Sequence, residues 1–266
     1  MCAVSVQFTI LGSGSNGNCA YLETEDTRIL IDAGFSGKQI RERLAAIERV
    51  PERLTGILIT HEHGDHTVGL KTIAAKNDIP VYCNRLTKEA LENQYPKKLI
   101  FKIFNTGTNF ELGDLLVESF SVPHDAYDPV GFLIRSVGGN IGFLTDLGHA
   151  TRLIIERVRP ANVLVLEANY DLHLLQRDTK RPWSTKQRIM SRHGHLSNDG
   201  AADVAEQIVS ENLQQLYLGH LSQDCNRPDL AHEAVAGRLM GLGATHVNIK
   251  PAYQGKPTPS VSMAFA

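Results

Sequence analysis

Three histidines and an aspartate stand within six positions, directly after an apolar run at residues 57–60. They are His61, His63, Asp65 and His66. Imidazole suits Zn, Fe, Ni or Mn, and carboxylate suits harder ions, so this mixed set predicts a transition metal site. Backbone alternation aims His61 and His63 the same way, so both could bind one ion. Asp65 and His66 follow Gly64, so they could turn towards a second ion, roughly 3.5–4 Å from the first.

The elements that must position this loop are predicted strands. The apolar run at residues 57–60 predicts a short buried strand that ends at the loop. Two further candidate ligands, His124 and Asp146, also follow predicted strands, at residues 115–122 and 140–144. Because α/β sheets carry their sites at strand ends, these two side chains are predicted to join the loop.

The pattern His-x-His-x-Asp-His after a hydrophobic strand resembles the signature of the metallo-β-lactamase fold superfamily. The resemblance implies an α/β fold, a single-domain four-layer αβ/βα metallo-β-lactamase sandwich, with metals on its open edge. It also implies that Asp32, at the end of an earlier predicted strand, orients the metal loop. Ligating histidines need such a partner for the second ring nitrogen, which fixes their tautomer.

The resemblance implies a complete set of ligands for two ions. One ion takes His61, His63 and His124, the other takes Asp65, His66 and His220, and Asp146 bridges them. The predicted cofactors are two divalent ions, Zn or Mn, with Fe as a further candidate. A bridging hydroxide would attack phosphorus or carbonyl carbon, and Asp65 counts among the catalytic residues as well as the ligands.

Glu167 at a predicted strand end, together with His195-Leu196-Ser197, resembles the phosphodiesterase branch typified by the tRNA 3′-processing nucleases. We therefore predict that Glu167 orients and charges His195, and that His195 protonates the leaving alkoxide. Such proton donation contributes on the order of 10²–10⁴-fold. The alternative is that His195 only forms a hydrogen bond at the start of a helix.

A narrower resemblance covers the chain to about Tyr253 and is to the single-domain bacterial WalJ/YycJ type. That family is described as 5′→3′ exonucleases on double-stranded DNA and is linked to DNA repair. The resemblance implies a dinuclear metal-dependent phosphodiesterase that acts as a DNA exonuclease. The motifs that carry it are residues 13–18, 61–66, 123–126, 144–146, 167–171, 194–198 and 220–222.

Two polar segments are candidates for substrate binding. The Gly/Ser/Asn-rich loop at residues 12–18 is either a plain tight turn or a rim that holds phosphate. The segment 176–192, with six cations and one acid, is either a solvated helix face or a phosphate-binding patch. Trp183 inside it is predicted to pack in the core, with base stacking as the alternative. The candidate substrate-binding residues are Ser13, Ser15, Asn16, Asn18, Lys186, Arg188, Arg192 and Ser222.

Composition limits the classes of protein to which the chain can belong. The chain has 266 residues and a formal net charge of −2, so nucleic-acid binding needs a local basic patch. Without a signal segment, a membrane-spanning run or Cys-x-x-Cys spacing, we predict a cytoplasmic protein with reduced thiols. We expect one hydrolase domain at 1–253 and a loosely held tail at 254–266.

Three alternatives to a DNA exonuclease remain open. One is a hydrolase of a small phosphodiester, such as a cyclic nucleotide, or of a thioester. Another is an RNase, and the third is a non-catalytic partner of a signalling system. None of the motifs predicts an oligomeric state.

Overall fold

The computed structural model describes residues 6–95 and 99–263. Within these residues the strands form two seven-stranded sheets. The first sheet has the order β14-β1-β2-β3-β4-β5-β6: β1 Val6–Gly12, β2 Cys19–Glu23, β3 Arg28–Ile31, β4 Gly56–Leu58, β5 Val81–Cys83, β6 Phe101–Ile103 and β14 Val261–Met263. The second has the order β13-β12-β11-β10-β9-β8-β7: β7 Asn109–Leu112, β8 Leu115–Ser121, β9 Val130–Ser136, β10 Gly139–Leu144, β11 Val163–Glu167, β12 Gln215–Gly219 and β13 Asn248–Pro251.

The helices connect these strands. They are α1 Gly37–Ala45, α2 Gly64–Thr67, α3 Ala74–Asn77, α4 Arg85–Gln94, α5 Arg152–Val158, α6 Leu172–Arg177, α7 Trp183–Ile189, α8 Asn198–Ile208 and α9 Pro228–Gly241. Helix α1 begins with a full capping box, in which Ser36 accepts a hydrogen bond from the backbone of Gln39. Helix α8 has a simpler cap: the side chain of Ser197 accepts a hydrogen bond from the backbone N–H of Gly200.

Both sheets follow one plan. Strands β14, β1, β2 and β3 pair antiparallel, whereas β3, β4, β5 and β6 pair parallel. In the second sheet β7 to β10 are antiparallel and β10 to β13 parallel. The described strands therefore form two similar halves.

The sheets face each other across a core whose described residues all come from strands and adjoining loops. Phe8 and Ile10 of the first sheet pack there with Val117 and Phe132 of the second. Each fully buried side chain of this size stabilises the fold by about 1.5–3 kcal/mol.

Helices cover the two outer faces. Ile40 and Leu44 of α1 pack on the first sheet, together with residues from α3 and α4. Ile155 of α5, Ala205 of α8 and Val235 of α9 pack on the second. The order helix, sheet, sheet, helix confirms the predicted four-layer αβ/βα sandwich.

Residues 254–263 are not loosely held, contrary to expectation. Its strand β14 pairs with β1, with Val6 opposite Met263. Thr258 donates its backbone N–H to the carbonyl of Ile10 and accepts a hydrogen bond from the same residue. Pro257 and Pro259 lie before β14, where neither has to donate a hydrogen bond to the sheet, so both are compatible with an ordered edge strand.

Two other features of the described residues bear on the sequence predictions. None of the helices in ranges 6–95 and 99–263 has the length and apolar character to cross a membrane. Cys19, Cys83 and Cys225 are buried free thiols, as predicted, whereas Cys2 lies outside the described residues.

Candidate metal centre

The histidine-rich loop begins two residues after β4 and leads into α2. Asp32, immediately after β3, lies beside it with Oδ1 accepting a hydrogen bond from the backbone N–H of Thr60 at 2.9 Å. Asp32 Oδ2 lies 2.7 Å from Nδ1 of His66, and Thr60 Oγ1 lies 3.0 Å from Nδ1 of His61. Because both Nδ1 atoms are engaged, the Nε2 atoms of His61 and His66 are left to face the site.

Two distant histidines, His124 and His220, are also oriented by a hydrogen bond at Nδ1. Nδ1 of His124 donates to the carbonyl of Gly194 over 3.0 Å. Nδ1 of His220, directly after β12, lies 2.7 Å from Oε1 of Glu167. Their Nε2 atoms therefore also point towards the loop, and the ring centroids of His61 and His124 are 5.2 Å apart.

The structure brings all seven predicted ligands together. In each of three groups the ligand atoms lie within 4.8 Å of one another: His61, His63 and His124; His61, His66 and Asp146; Asp65, His66 and His220. The buried atoms His61 Nε2 and Asp146 Oδ2 have no hydrogen-bond partner among the described residues. Buried polar atoms are rarely left unpaired. This set of inward-facing donors fits divalent metal ions.

Charge at the site is balanced between carboxylates and imidazoles. Burial alone would raise the pKa of Asp146, but the nearby rings of His220 and His66 hold that pKa well below its ordinary value. Burial also opposes ionisation of Asp65, and His66 and His220 again lower its pKa. Burial lowers the pKa of His61, and repulsion from His66 lowers it further. Ionised carboxylates and a neutral His61 ring are the states in which these groups bind metal.

Three residues of the site have left-handed backbone conformations. The φ angles are 59° for Asp32, 58° for Asp146 and 54° for His220. Such conformations cost free energy in non-glycine residues and persist only where the surroundings enforce them. For His220 the enforcing contact is Ser13, whose Oγ accepts the backbone N–H of His220 at 2.8 Å. Asn169 Nδ2 donates to the carbonyl of His220 at 2.8 Å.

The glycine-rich loop has two parts with different roles. Ser13 and Asn18 are buried, and Ser13 Oγ donates to Asn18 Oδ1 at 2.9 Å. Asn18 Nδ2 lies 3.2 Å from Nε2 of His66. Ser13 and Asn18 are absent from the wall of the cavity beside the ligands, and their burial contradicts the predicted phosphate-binding role. Ser15 lines the cavity beside the ligands, and Asn16 is bound through its backbone N–H to Gln254 Oε1 at 3.0 Å.

Glu167, the last residue of β11, is fully buried beneath two histidines. Its Oε1 lies 2.7 Å from Nδ1 of His195, and its Oε2 accepts the backbone N–H groups of Leu147 and Leu196 at 3.0 and 3.2 Å. Burial alone would lower the pKa of His195, but the Glu167 carboxylate raises that pKa above its ordinary value. The predicted pairing of these two residues is present in the structure.

A cavity of about 290 Å³ opens beside the ligands. Arg188 of α7 and Ser222 after β12, two of the candidate substrate-binding residues, line it. Arg192 does not line it, and its guanidinium instead lies 2.9 Å from Nε2 of His149.

Two predictions for the basic segment are wrong. Lys186 is buried, and its ammonium donates to the carbonyls of Asp178 and, at 2.8 Å, of Gln176. It ties α7 to the end of α6 and is not free to bind phosphate. Trp183 is 58% exposed in the first turn of α7, so it does not pack in the core.

Three residues at the site were missed by the sequence analysis as functional candidates. Asp125 lines the cavity, with Oδ1 3.3 Å from Nε2 of His124 and Oδ2 3.4 Å from Arg188. Glu62, between His61 and His63, is buried. Asn169 holds His220. All three lie within the quoted motifs 61–66, 123–126 and 167–171, but spacing alone does not reveal which polar residues face the ligands.

Comparison with known proteins agrees with this geometry. A family model described as a beta-lactamase superfamily domain matches residues 27–220. The chain is 39% identical over 251 residues to exodeoxyribonuclease WalJ of Streptococcus pneumoniae, covering 91% of this chain and 93% of that protein. It is 37% identical over 243 residues to exodeoxyribonuclease YycJ of Bacillus anthracis, covering 90% and 91%. The metallo-beta-lactamase fold protein YhfI of Bacillus subtilis has a similar structure, with a TM-score of 0.72, 14% identity and coverage of 96% and 99%.

Proposed function

The chain belongs to the metallo-β-lactamase superfamily, in the group of WalJ and YycJ, and from this premise we propose that it is a metal-dependent 5′→3′ DNA exonuclease. The observation that carries the proposal is the convergence of seven ligand side chains, from distant parts of the chain, around unpartnered buried atoms. We further propose that it serves DNA repair and acts in the cytoplasm.

The proposed centre is dinuclear. His61, His63 and His124 would hold one ion, Asp65, His66 and His220 the other, and Asp146 would contact both. Two groups that share His66, one with Asp146 and one with Asp65, support adjacent positions. Bound Zn or Mn ions would activate water for attack and offset negative charge on the attacked phosphate.

His195 is the proposed general acid. Its Nδ1 is bound to Glu167, which leaves Nε2 as the proton-donating atom towards the cavity that His195 lines. Because Glu167 raises the pKa of His195, the ring retains a proton to give to the leaving oxygen. Glu167 is thus a positioning residue for two histidines.

Phosphate binding is assigned to residues on the cavity wall. Arg188, Ser15 and Ser222 line it next to the ligands, and Arg188 is largely exposed. A guanidinium and hydroxyl groups suit phosphate oxygens. The DNA substrate itself is proposed from the similarity to the two exodeoxyribonucleases.

The deciding experiment uses metal-loaded protein with DNA and RNA, single-stranded and duplex, labelled at either end. A 5′→3′ exonuclease releases a 5′ label as mononucleotide at once and shortens 3′-labelled strands progressively. The variant Asp146→Ala, purified in parallel, controls for contaminating nucleases. Cleavage of RNA alone, of circular DNA, or only of cyclic nucleotides or thioesters would contradict the proposal.

A further inference from the structure

Tyr127 is a large aromatic side chain that is 72% exposed, three residues after the candidate ligand His124. The burial of aromatic surface is normally favourable, so an exposed ring on a loop that also supplies a candidate ligand calls for a partner. Between them stands Asp125, which lines the cavity and pairs with Arg188. Tyr127 therefore belongs to the loop that forms one side of the candidate site.

The backbone under Tyr127 is fixed to the metal loop. Its N–H donates to Oε1 of Glu62 at 2.9 Å, and Glu62 is only 5% exposed and stands between His61 and His63. The next residue is also held: Asn84 Nδ2 donates to the carbonyl of Asp128 at 2.6 Å.

Further bonds close the same loop. Thr106 Oγ1 donates to Asp128 Oδ2 at 2.7 Å, and Val122 donates to the carbonyl of Pro129 at 3.0 Å. An exposed ring on such a constrained loop loses little conformational freedom when a ligand binds it, which favours affinity.

We propose that Tyr127 is a stacking platform for the nucleobase of the terminal nucleotide, beside the phosphate that is cut. The inference rests on the proposed nuclease function and deepens it by naming a contact with the base. Stacking on an aromatic ring is tolerant of sequence because every base has a π-face. Arg188, held by Asp125 in the same loop, would then meet the adjoining phosphate.

Trp183, which is exposed in the first turn of α7, is an alternative stacking residue, and helix geometry argues against it. Thr185 and Arg188 of α7 line the cavity. At 3.6 residues per turn, Trp183 lies roughly 140–160° around the helix from both. Its ring is therefore directed away from the wall that those residues form.

The test uses a duplex with 2-aminopurine at the 5′ end, whose fluorescence is quenched when the base stacks. Wild-type protein and Tyr127→Phe should quench it, whereas Tyr127→Leu should not. Tyr127→Leu should also raise KM on normal DNA about ten-fold, within the range for one base stacked on an aromatic ring. The ring is exposed and the Glu62 bond is to the backbone, so a thermal melt should show both variants folded.

A second substrate isolates the base. On a duplex whose terminal nucleotide is abasic, wild-type protein and Tyr127→Leu should have equal KM values. Trp183→Leu serves as the comparison variant and should quench like wild type. Quenching that survives in Tyr127→Leu, is absent from wild type, or is lost in Trp183→Leu instead would overturn the inference.

The exonuclease proposal and the stacking proposal can each be contradicted without the other. A wild-type protein that quenches 2-aminopurine without cutting DNA contradicts the exonuclease and keeps the stacking contact. A wild-type protein that cuts DNA while Tyr127→Leu keeps the same KM contradicts only the stacking contact, and Tyr127 would then serve another partner.

Discussion

Nδ1 of His195 lies 2.7 Å from Oε1 of Glu167. The same oxygen lies 2.7 Å from Nδ1 of His220. One buried carboxylate thus orients a candidate metal ligand and the proposed proton donor together. A change at Glu167 is expected to affect both, whereas a change at His195 should affect only the proton transfer.

Replacement of His195 by alanine should lower kcat by on the order of 10²–10⁴-fold, because a positioned acid contributes that much. Metal content should stay at the wild-type level, since Glu167 and His220 keep their mutual contact. Steady-state kinetics on duplex DNA and elemental analysis of the same samples measure the two effects.

The matched control for that variant is His193→Ala. His193 is exposed, two residues away, and should tolerate the change with unaltered kcat. Loss of metal from His195→Ala in proportion to its loss of activity would show that the residue is structural, which is the alternative reading of this position.

Glu167 should set the pH at which kcat falls on the alkaline side. A general acid works in its protonated form, which is present below its pKa. Because Glu167 raises the pKa of His195 above the ordinary value near 6.5, activity should persist to higher pH before it falls. Glu167→Gln removes the carboxylate charge, so the alkaline limb of the profile should move to lower pH.

The metal content of Glu167→Gln must be measured alongside, because His220 loses the same charged partner. Kinetics are then compared at saturating metal, so that the shift reports on the acid alone. An alkaline limb at the same pH in wild-type and variant protein would contradict the proposed role of His195.

Metal stoichiometry tests the dinuclear arrangement. Wild-type protein loaded with Zn or Mn and dialysed should retain about two ions per chain, as in other two-metal sites. His63→Ala and His220→Ala should each lose one ion, from opposite sides of the centre. Asp146→Ala should lose both, because its carboxylate would contact the two ions.

Elemental analysis of the dialysed proteins gives these numbers directly. A single ion in wild-type protein, lost equally in all three variants, would replace the dinuclear centre by a mononuclear one. Treatment with a chelator should abolish DNA cleavage in either case, so activity alone does not distinguish them.

The fold could be predicted from the sequence because its strands are short apolar runs that end in polar motifs. The strands predicted at residues 57–60 and 163–166 both end at the site, and they correspond to β4 and β11 of the structure. Residues 67–77 predict one continuous helix, and this prediction is wrong, because α2 ends at Thr67 and α3 begins at Ala74. Gly69 donates to the carbonyl of Ala33, and a side chain there would collide with Phe35. This close approach separates α2 from α3.

The candidate ligands could be predicted because each has a fixed place in a recognisable motif. The residues that orient them could not, since their role depends on contacts between distant segments. Ser13 reads as a loop residue, yet its hydroxyl group supports His220, 207 positions away. Glu167 was predicted for His195 alone, because no sequence pattern shows that His220 shares its oxygen.

The last prediction compares two cations of α7, Lys186 and Arg188, which stand two residues apart. Lys186 is buried, whereas Arg188 is exposed. Lys186→Met keeps the aliphatic stem and leaves the carbonyls of Gln176 and Asp178 without their charged donor. Its free energy of unfolding should fall by about 2 kcal/mol, typical for hydrogen bonds to a charged group. Arg188 is 69% exposed at its side chain, so Arg188→Met should change stability by less than about 0.5 kcal/mol.

For the salt dependence of DNA binding we expect the reverse: Arg188→Met should have the larger effect. Arg188→Met removes one phosphate contact, so the slope of log affinity against log salt should become shallower by about 1. Lys186→Met should keep the wild-type slope, because its ammonium never reaches the DNA. Urea unfolding and a salt titration of binding, performed on both variants, separate the two roles. An equal loss of slope in both would restore Lys186 as a phosphate-binding residue, and it would require α6 and α7 to separate when DNA binds.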